Sequence, residues 1–376
     1  MISPNRSHAW LLRALTIVGA ALVGLVLMVP ATSFGGVRTK FVSTSGSNRD
    51  PGTKHAPWRT IRKAISAARP GMRIVIKPGE YGARGRTIHA DVSGTKSSPI
   101  TFMGSPHRRR PKILGYFEIT GHDLRFSRLR FIGPTGHVKP ITPQNPKGEQ
   151  VEVAIRGGDR VSVTRSEIAD SDWHAGIYVF RANDVRITRD YIHDNGDDGP
   201  CCLQSQGNSS HGIYFDSGSG LIANNVIEHN LARGVQLHPR PHNVLVKENT
   251  IVRNRQAGVQ VSKYAAHNTI ANNIVAYNVN YSIRSYRLTG IGNQVIRNIV
   301  WGSAQPFGTL TSGLNKGENM RSADPAFVSS TDYHLRSSSP AIDRANPNPL
   351  YTVDQDFDGV PRPQGDSFDI GAFEAP

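Results

Sequence analysis

The sequence has few of the residues that cross-link a protein or build long helices. Its 376 residues include only two cysteines, the adjacent Cys201 and Cys202, so no disulfide can link distant parts of one chain. Long apolar stretches with helical spacing are nearly absent, whereas glycine (37 residues) and asparagine are abundant. A hydrophobic content of 38% is enough for a large core. This composition predicts an all-β protein built of short strands and turns.

The first 33 residues have the order of segments typical of a secretory signal. Arg6 and Arg13 precede an apolar stretch from Ala14 to Val29, and the small residues Ala31-Thr32-Ser33 follow it. We therefore expect residues 1–33 to be a signal peptide and the mature protein to be secreted. An uncleaved N-terminal membrane anchor is the alternative, because the apolar stretch is short for a membrane span.

The chain is strongly basic, with 44 Lys and Arg residues against 29 Asp and Glu residues and a formal net charge of +15. A basic surface concentrates polyanions near the protein. Outside a cell, these are acidic polysaccharides, sulfated glycans, wall polymers or stray nucleic acid. Simple solubility or adhesion to the wall would explain the charge equally well.

An internal repeat is the most informative feature of the sequence. Six similar segments begin at Val161, Val185, Gly220, Val244, Asn268 and Asn293, mostly 24 or 25 residues apart, and an earlier copy begins at Leu124. Each alternates apolar and polar residues and often ends in asparagine. Units of this length that bury alternate residues stack as a β-helix, whereas a propeller blade would be about twice as long.

Two columns of asparagines support this interpretation: Asn225, Asn249, Asn273 and Asn298 in one, and Asn195, Asn230, Asn254 and Asn278 in the other. At turns, asparagine tolerates left-handed backbone angles, and stacked amides can form hydrogen bonds from coil to coil. A second strand follows in every unit, with predicted inward residues Ile177, Val179, Ile213, Phe215, Val235, Leu237, Val259 and Val261. Its outward positions are where a functional site would lie.

The ends of the repeat region predict its caps. The stretch from Pro57, PWRTIRKAISAARPG, reads as a short helix with Ile61, Ala64 and Ile65 on one face, which would cover the open end of the core. The repeat dissolves from about Ala323. We thus expect a β-helix with its N-terminal cap over residues 38–322 and a C-terminal cap or tail over residues 323–376.

These features together resemble secreted bacterial proteins with right-handed parallel β-helix repeats, the superfamily that includes pectate lyases, alginate lyases, chondroitinase-type lyases and polyuronate epimerases. Three stretches carry the resemblance: FVSTSGSNRDPGTKHAPWRTIRKAISAARPGMRIVIKPGEY, HGIYFDSGSGLIANNVIEHN and VDQDFDGVPRPQGDSFDIGAFE. It implies a single-stranded right-handed parallel β-helix and leaves the reaction open, since this scaffold hosts many activities.

Two insertions interrupt the period, at residues 133–150 and 196–210. Both fall between the first and second strands of their units, so both loops should leave the same corner and flank one cleft. Beside it, one outward column holds Tyr178, Tyr214, Gln236, Gln260 and Arg284, and the next holds Arg156, Phe180, Asp216, His238, Ser262 and Tyr286. Tyr178, Tyr214, Gln236, Gln260 and Arg233 are the candidate substrate-binding residues, because aromatic, amide and basic groups in a line suit a sugar chain.

A third column contains Arg181, Lys263 and Arg287. If Lys263 and Arg287 stack one coil apart, their like charges make a neutral amine more available, and such an amine can remove the proton next to a uronate carboxylate. Lysine or arginine bases with calcium are what the resemblance to lyases implies. We therefore expect Lys263 as the base and Arg284 or Arg287 as the group that neutralises the carboxylate. His211 and His238, on or beside these columns, are further acid–base candidates.

Calcium is the expected cofactor, since it binds oxygen ligands and can pair with the substrate carboxylate. Asp194, Asp197, Asp198 and Asp216 lie around the second insertion and are the candidate ligands.

The expected function is β-elimination or C5-epimerisation of a uronate-containing polysaccharide by a monomer. No specific nucleic-acid partner and no membrane span in the mature chain are expected. Two alternatives stay open: a polygalacturonase-type hydrolase, suggested by GDDG at Gly196 and SHG at Ser210, and a noncatalytic β-helix that binds glycans or cell wall.

Overall fold

A computed structural model of the protein describes residues 38–133, 152–171, 175–196, 210–287, 289–308, 314–316, 318–321 and 323–376. In these residues it contains one short helix, α1 (Ile61–Ala67), and 26 strands. The strands are β1 (Thr39–Val42), β2 (Arg73–Ile76), β3 (Glu80–Ala90), β4 (Ile100–Gly104), β5 (Lys112–Ile119), β6 (Leu124–Ser127), β7 (Arg130–Ile132), β8 (Val153–Arg156), β9 (Ser162–Thr164), β10 (Glu167–Ala169), β11 (Ala175–Phe180), β12 (Ala182–Thr188), β13 (Tyr191–His193), β14 (His211–Ala223), β15 (Val226–Glu228), β16 (Val235–Lys247), β17 (Thr250–Val252), β18 (Ala257–Ser262), β19 (Thr269–Ala271), β20 (Ile274–Ala276), β21 (Tyr281–Tyr286), β22 (Asn293–Ile296), β23 (Ile299–Trp301), β24 (Gln305–Phe307), β25 (Leu314–Lys316) and β26 (Met320–Arg321). Within the described part, no helix is long and apolar enough to cross a membrane.

The strands form three parallel sheets, and the chain passes from sheet A to sheet B to sheet C in each coil. Sheet A contains β1, β2, β4, β6, β9, β12, the second parts of β14 and β16, β19, β22 and β25. Sheet B contains the first parts of β3 and β5, then β7, β10, β13, β15, β17, β20, β23 and β26. Sheet C contains the last parts of β3 and β5, then β8, β11, the first parts of β14 and β16, β18, β21 and β24. The predicted parallel β-helix is confirmed.

The core lies between the three sheets and consists of the apolar residues that alternate along the strands. All eight predicted inward residues of sheet C, from Ile177 to Val261, are fully buried. They stack in register, for example Ile177 on Ile213 and Val235 on Val259. Because each coil contacts only its neighbours, the coils above and below complete the burial of its apolar residues.

The asparagine columns form two internal ladders at the corners. In the first, at the corner between sheets A and B, Asn249 Nδ2 donates to Asn273 Oδ1 at 2.9 Å and Asn225 Nδ2 donates to Asn249 Oδ1 at 2.9 Å. In the second, at the corner between sheets B and C, Asn254 Nδ2 donates to Asn278 Oδ1 at 2.9 Å. The predicted coil-to-coil amide bonds are confirmed.

The predicted reason for asparagine at these turns was wrong in one respect. The left-handed residue is the one before each ladder asparagine, such as Asn224 (φ 54°), Glu248 (φ 50°) and Arg253 (φ 55°). The ladder asparagines are there for their amides, which satisfy backbone groups that the corner removes from the sheets.

The N-terminal cap is the predicted helix. Helix α1 starts after Thr60, whose hydroxyl accepts a hydrogen bond from Lys63 N at 3.2 Å. Ile61, Ala64 and Ile65 are buried and belong to the same apolar cluster as the first coils. The helix therefore covers the core at the first coil.

The segment 323–376 lies along the outer face of sheet B. Phe327, Leu335, Ile370 and Phe373 pack there against the outward residues of the sheet, including Ile274. Arg362 joins the two parts: its side chain is fully buried, 3.5 Å from both Glu248 and Glu374, and it donates to the carbonyls of Asp369 and Gly371. Whether the segment also closes the last coil, and whether the boundaries at 33, 38 and 322 hold, stay predictions.

Candidate functional site

The two insertions leave the same corner of the β-helix. Residues 133–152 connect β7 to β8 and residues 194–210 connect β13 to β14, and in both cases the chain passes from sheet B to sheet C. The intervening coil makes the same passage between β10 and β11 with only five residues, 170–174. The shared corner is thus confirmed, and most of both loops, with Asp197, Asp198, Cys201 and Cys202, lies outside the described residues.

The strand register confirms the first predicted outward column of sheet C and shows parts of the second. Tyr178 pairs with Tyr214, Tyr214 with Gln236, Gln236 with Gln260, and Gln260 with Arg284. In the second column, Ser262 pairs with Tyr286 and shares a 2.9 Å hydrogen bond with His238 Nδ1. Side chains of one column are about 4.8 Å apart along the solenoid axis.

Sheet C has a further outward column that the sequence analysis did not predict. It holds Ala175, His211, Arg233, Ala257 and Tyr281, at the edge of sheet C nearest the insertions. A glycine follows the first four of them, because the next position faces the asparagine ladder. A β-carbon at Gly258, for example, would lie 2.2 Å from Cγ1 of Val275. The recurring pairs Ala-Gly, His-Gly and Arg-Gly are the sequence pattern from which this column could have been predicted.

These three columns and the adjacent turns enclose a cleft of about 480 Å³ on the outer face of sheet C. Its lining residues are His211, Tyr214, Arg233, Gln236, His238, Gln256, Gln260, Asn280, Arg284 and Tyr286. Seven of the ten predicted catalytic and substrate-binding residues therefore meet in one cleft. Gln256 and Asn280, from the corner before β18 and β21, were not predicted.

The predicted residues outside this lining are Tyr178, Lys263 and Arg287. Tyr178 extends the site towards the N-terminal coils: its ring is 5.3 Å from that of Tyr214, and the Arg156 guanidinium is 5.1 Å from its centre. Phe180 stacks on Tyr178 with ring centres 6.2 Å apart. A line of aromatic rings thus leads into the cleft.

Two arginines give the cleft its positive charge. Arg233 Nε donates to Gln260 Oε1 at 3.0 Å, which fixes the guanidinium at the edge of sheet C. The guanidinium of Arg284 lies between the rings of Tyr281 and Tyr286, 4.8 and 5.0 Å from their centres. Burial, followed by the like charge of Arg284, lowers the pKa of Arg233 to about 10. Two partly desolvated cations in one cleft favour the binding of an anionic group.

His238 is held in the neutral form in the same cleft. Burial, together with the positive charges of Lys263, Arg233 and Arg287, lowers the pKa of His238 to about 4. Ser262 Oγ also accepts a hydrogen bond from Gln236 Nε2 at 3.0 Å. In the tautomer that donates Nδ1–H to Ser262, the Nε2 atom carries a lone pair, and the ring is a base at neutral pH.

His211 lies on the other side of Tyr214 from His238. The ring of Tyr214 is 5.4 Å from the ring of His211, edge to face, and 6.2 Å from that of His238. His211 is buried, and its Nδ1 accepts a hydrogen bond from the backbone N–H of Arg233 at 3.3 Å. With Nδ1 as the acceptor, a proton on Nε2 makes that side of the His211 ring a hydrogen-bond donor.

Lys263 and Arg287 are one coil apart, as predicted, since Lys263 N donates to Tyr286 O at 3.4 Å. Both have left-handed backbone angles, with φ of 53° and 63°, and follow the last residues of β18 and β21. The chain turns away from sheet C at these positions. They therefore lie beyond the cleft lining and act on it as nearby charges.

The structure does not bring Asp194 and Asp216 together. Asp194 is at the corner before sheet C, where its Oδ2 lies 2.7 Å from His193 Nδ1. Asp216 lies five residues after His211 in β14, about 16 Å further along the strand. Calcium ligands lie within about 2.6 Å of the ion, so these two carboxylates do not form one site.

Within the described residues, no group of three or more His, Cys, Asp and Glu side chains is arranged to hold a metal ion. A calcium site that uses Asp197 or Asp198 stays a prediction, and no step below is routed through calcium. The described cleft lining also contains no carboxylate, so the pair of acids that a hydrolase requires is not found there.

Comparisons with known proteins agree with this architecture. The family described as "Right handed beta helix region" matches residues 147–300, and "Protein of unknown function (DUF1565)" matches residues 44–87. The crystal structure of pectate lyase Pel9A superposes with a TM-score of 0.66 and 15% sequence identity, covering 91% of this chain and 98% of that chain. The chain is a right-handed parallel β-helix protein.

Two further matches are more limited. A rhamnogalacturonan lyase has a TM-score of 0.49 and 13% identity, with 78% of this β-helix protein and 91% of that chain covered. The "Uncharacterized protein YwoF" of Bacillus subtilis (strain 168) is 39% identical over 62 residues, or 16% of this chain. That match spans 13% of the length of YwoF.

Proposed function

We propose that this β-helix protein binds a uronate-containing polysaccharide along the outer face of sheet C and removes the proton next to a uronate carboxylate. The observation that carries the proposal is the cleft that contains Arg233, Arg284 and the neutral His238. The likeness in fold to a protein named a pectate lyase supports the same class of substrate. The basic net charge of +15 supports an acidic polymer.

The two arginines are assigned to the substrate carboxylate. Removing the C5 proton of a uronate places a second negative charge next to the carboxylate, and this charge makes the step difficult. A fixed guanidinium at the carboxylate oxygens stabilises the developing charge, because it needs no reorganisation during the reaction. Arg233 is fixed by Gln260, and Arg284 is held between two tyrosine rings.

His238 is assigned as the base and His211 as a hydrogen-bond donor to the departing oxygen. His238 Nε2 takes the C5 proton, and the electron pair of the C5–H bond forms the C4=C5 double bond. The C4–O bond breaks, its electron pair stays on the departing sugar oxygen, which accepts a hydrogen bond from His211 Nε2–H and takes a proton from water. In epimerisation, the C4–O bond remains and water donates a proton to C5 from the opposite face. Proton transfer by a positioned side chain contributes about 10²–10⁴-fold to rate.

The aromatic line from Phe180 through Tyr178 to Tyr214 is assigned to neighbouring sugar units. Sugar rings present apolar C–H faces to aromatic rings, and coils about 4.8 Å apart give one row of contacts along a chain. Its position beside the cleft indicates a substrate that extends over several coils.

The proposal is tested by incubating the protein with pectate, alginate and glycosaminoglycans, with and without a chelator. Unsaturated uronates are followed by ultraviolet absorbance and changed C5 configuration by NMR. We expect one polymer to react, and R233Q or H238Q to reduce the rate at least about a hundredfold. R240Q is the matched control, because Arg240 is exposed on the same strand and lies outside the cleft lining.

Binding without any product would contradict the catalytic part and favour a noncatalytic glycan-binding protein. No binding to any of these polymers would overturn the whole proposal. Shorter saturated products would instead indicate the hydrolase alternative.

Export is part of the same proposal, since acidic polysaccharides of this kind lie outside the cell. It rests on the basic and apolar residues between Arg6 and Ser33. Mass spectrometry of protein from culture medium should give an N-terminus close to residue 34. An intact chain found only inside cells would contradict export.

A further inference from the structure

Four arginines meet at a place remote from the cleft on sheet C. Arg128, Arg165 and Arg189 occupy the same turn position in three successive coils, at the corner between sheets A and B. Each donates its backbone N–H to the next coil at 3.1 Å, to Thr164, Thr188 and Ala223 in turn. With Arg110, they line a cavity of about 390 Å³.

The C-terminal segment forms the remaining wall of this cavity with Gln355, Phe357, Asp358 and Gly359. Arg189 is fixed there, because its Nε donates to Phe357 O at 3.1 Å and its Nη1 to Gln355 Oε1 at 3.0 Å. Gly359 (φ 97°) makes this approach possible, since a β-carbon would lie 2.5 Å from an Arg189 guanidinium nitrogen. The cavity is therefore built by two parts of the chain.

The same turn position serves a different purpose in the following coils. There it holds Asn224, Glu248 and Asn272, which bind the C-terminal segment directly. Of the three arginines, Arg189 binds this segment. Arg165, one coil before it, is exposed to solvent. The arginine part of the column is thus open to a ligand.

The acidic residues that attract Arg110 and Arg189 are also engaged elsewhere or buried. Asp358 is bound to His334 at 2.9 Å, and Glu167 to Arg130 at 2.7 Å. Burial of Asp190 raises its pKa well above the usual range, towards the neutral form. Among the described residues, no acceptor lies within hydrogen-bond distance of the buried Nε of Arg128. Stacked cations with an unsatisfied buried donor are costly unless an anion joins them.

We propose that Arg110, Arg128, Arg165 and Arg189 form a binding site for a sulfate or phosphate group. A tetrahedral oxyanion has enough oxygens to accept hydrogen bonds from several planar guanidinium groups at once. The site lies on another corner of the β-helix from the cleft, so it would hold a sulfated or phosphorylated polymer independently of the reaction proposed above.

The test is titration of the intact protein with inorganic sulfate and inorganic phosphate by calorimetry, at constant ionic strength set with chloride. We expect saturable binding of at least one of the two, and about tenfold weaker binding by R165Q and by R128Q. R125Q is the matched control, because Arg125 is exposed on β6 outside the cavity. Circular dichroism verifies that each variant is folded.

Equal affinities of R165Q, R125Q and the unchanged protein would overturn the proposal, as would the lack of saturable binding by both anions. A sulfated disaccharide and glycerol phosphate are then compared. Tighter binding of one of them, lost in R165Q, supports the site and identifies the source of the group. The cleft variant R233Q should keep the sulfate binding that R165Q loses, so failure of this site and failure of the proposed reaction are distinguishable.

Discussion

His238 Nδ1 and Ser262 Oγ share a hydrogen bond of 2.9 Å between two adjacent coils. This contact fixes the only cleft residue, among those described, whose pKa is lowered to a value near 4. The contact depends on the register of β16 and β18, so the acid–base group is positioned by the stacking of the coils.

The role of Lys263 is separated from that of His238 by the variant K263Q. If His238 is the base and Lys263 only a neighbouring charge, K263Q keeps most of the activity. Removing the charge raises the pKa of His238, so the acid limb of the pH–rate profile moves from about 4 to higher pH. Initial rates from pH 3.5 to 8 measure this. Complete loss of activity in K263Q would instead support Lys263 as the base.

His193 predicts a pH-dependent contribution to stability. Burial opposes its charge, but Asp194 at 2.7 Å and Glu167 at 3.5 Å outweigh it and raise the pKa of His193 to about 9. A raised pKa stabilises the fold fully below the unfolded value of about 6.5, and this contribution is lost as the pH rises through 9. The urea midpoint of the unchanged protein should approach that of H193Q between pH 6 and 9.5. A constant difference would contradict the assignment.

The asparagine ladder should be a large source of stability. Asn254 is fully buried, accepts from Asn230 and donates to Asn278. N254A leaves buried donors unsatisfied and should lower the free energy of unfolding by about 2–4 kcal/mol. N280A, which changes an exposed asparagine, should cost less than about 0.5 kcal/mol. Urea unfolding followed by circular dichroism compares them, and similar costs would argue against a structural ladder.

Arg362 should hold the C-terminal segment on sheet B. R362M leaves Glu248 and Glu374 buried without their cation, and because burial already raises the pKa of both carboxyls, the cost should be at most the about 3–5 kcal/mol of a broken buried pair. Limited proteolysis with mass spectrometry should then show faster cleavage within residues 323–376. R344M is the control, because Arg344 is exposed in the same segment. Unchanged cleavage in R362M would show that the apolar contacts alone hold the segment.

The sequence predicted the β-helix and the register of sheet C because the period and the alternation act together. A one-residue slip would have turned Tyr214 inwards and Phe215 outwards, against the burial of the apolar side chain. The asparagine columns were predictable for the same reason, since their spacing equals one coil.

Three features could not be predicted from local patterns. A third column was predicted at Lys263 and Arg287, but the backbone turns to a left-handed angle there and leaves the strand. The contact of Arg362 with Glu248 joins positions that are far apart in the chain and share no motif. The convergence of His211 and His238 around Tyr214 likewise depends on the stacking of two coils.

The most direct test of the proposed reaction follows the C5 proton of the uronate in deuterated water by NMR. For the polymer that the protein acts on, we predict loss of the C5–H signal in both possible outcomes: elimination removes the proton and epimerisation replaces it with deuterium. The loss should be abolished in H238Q and retained in R240Q. Bond cleavage with every C5–H signal retained would contradict the account.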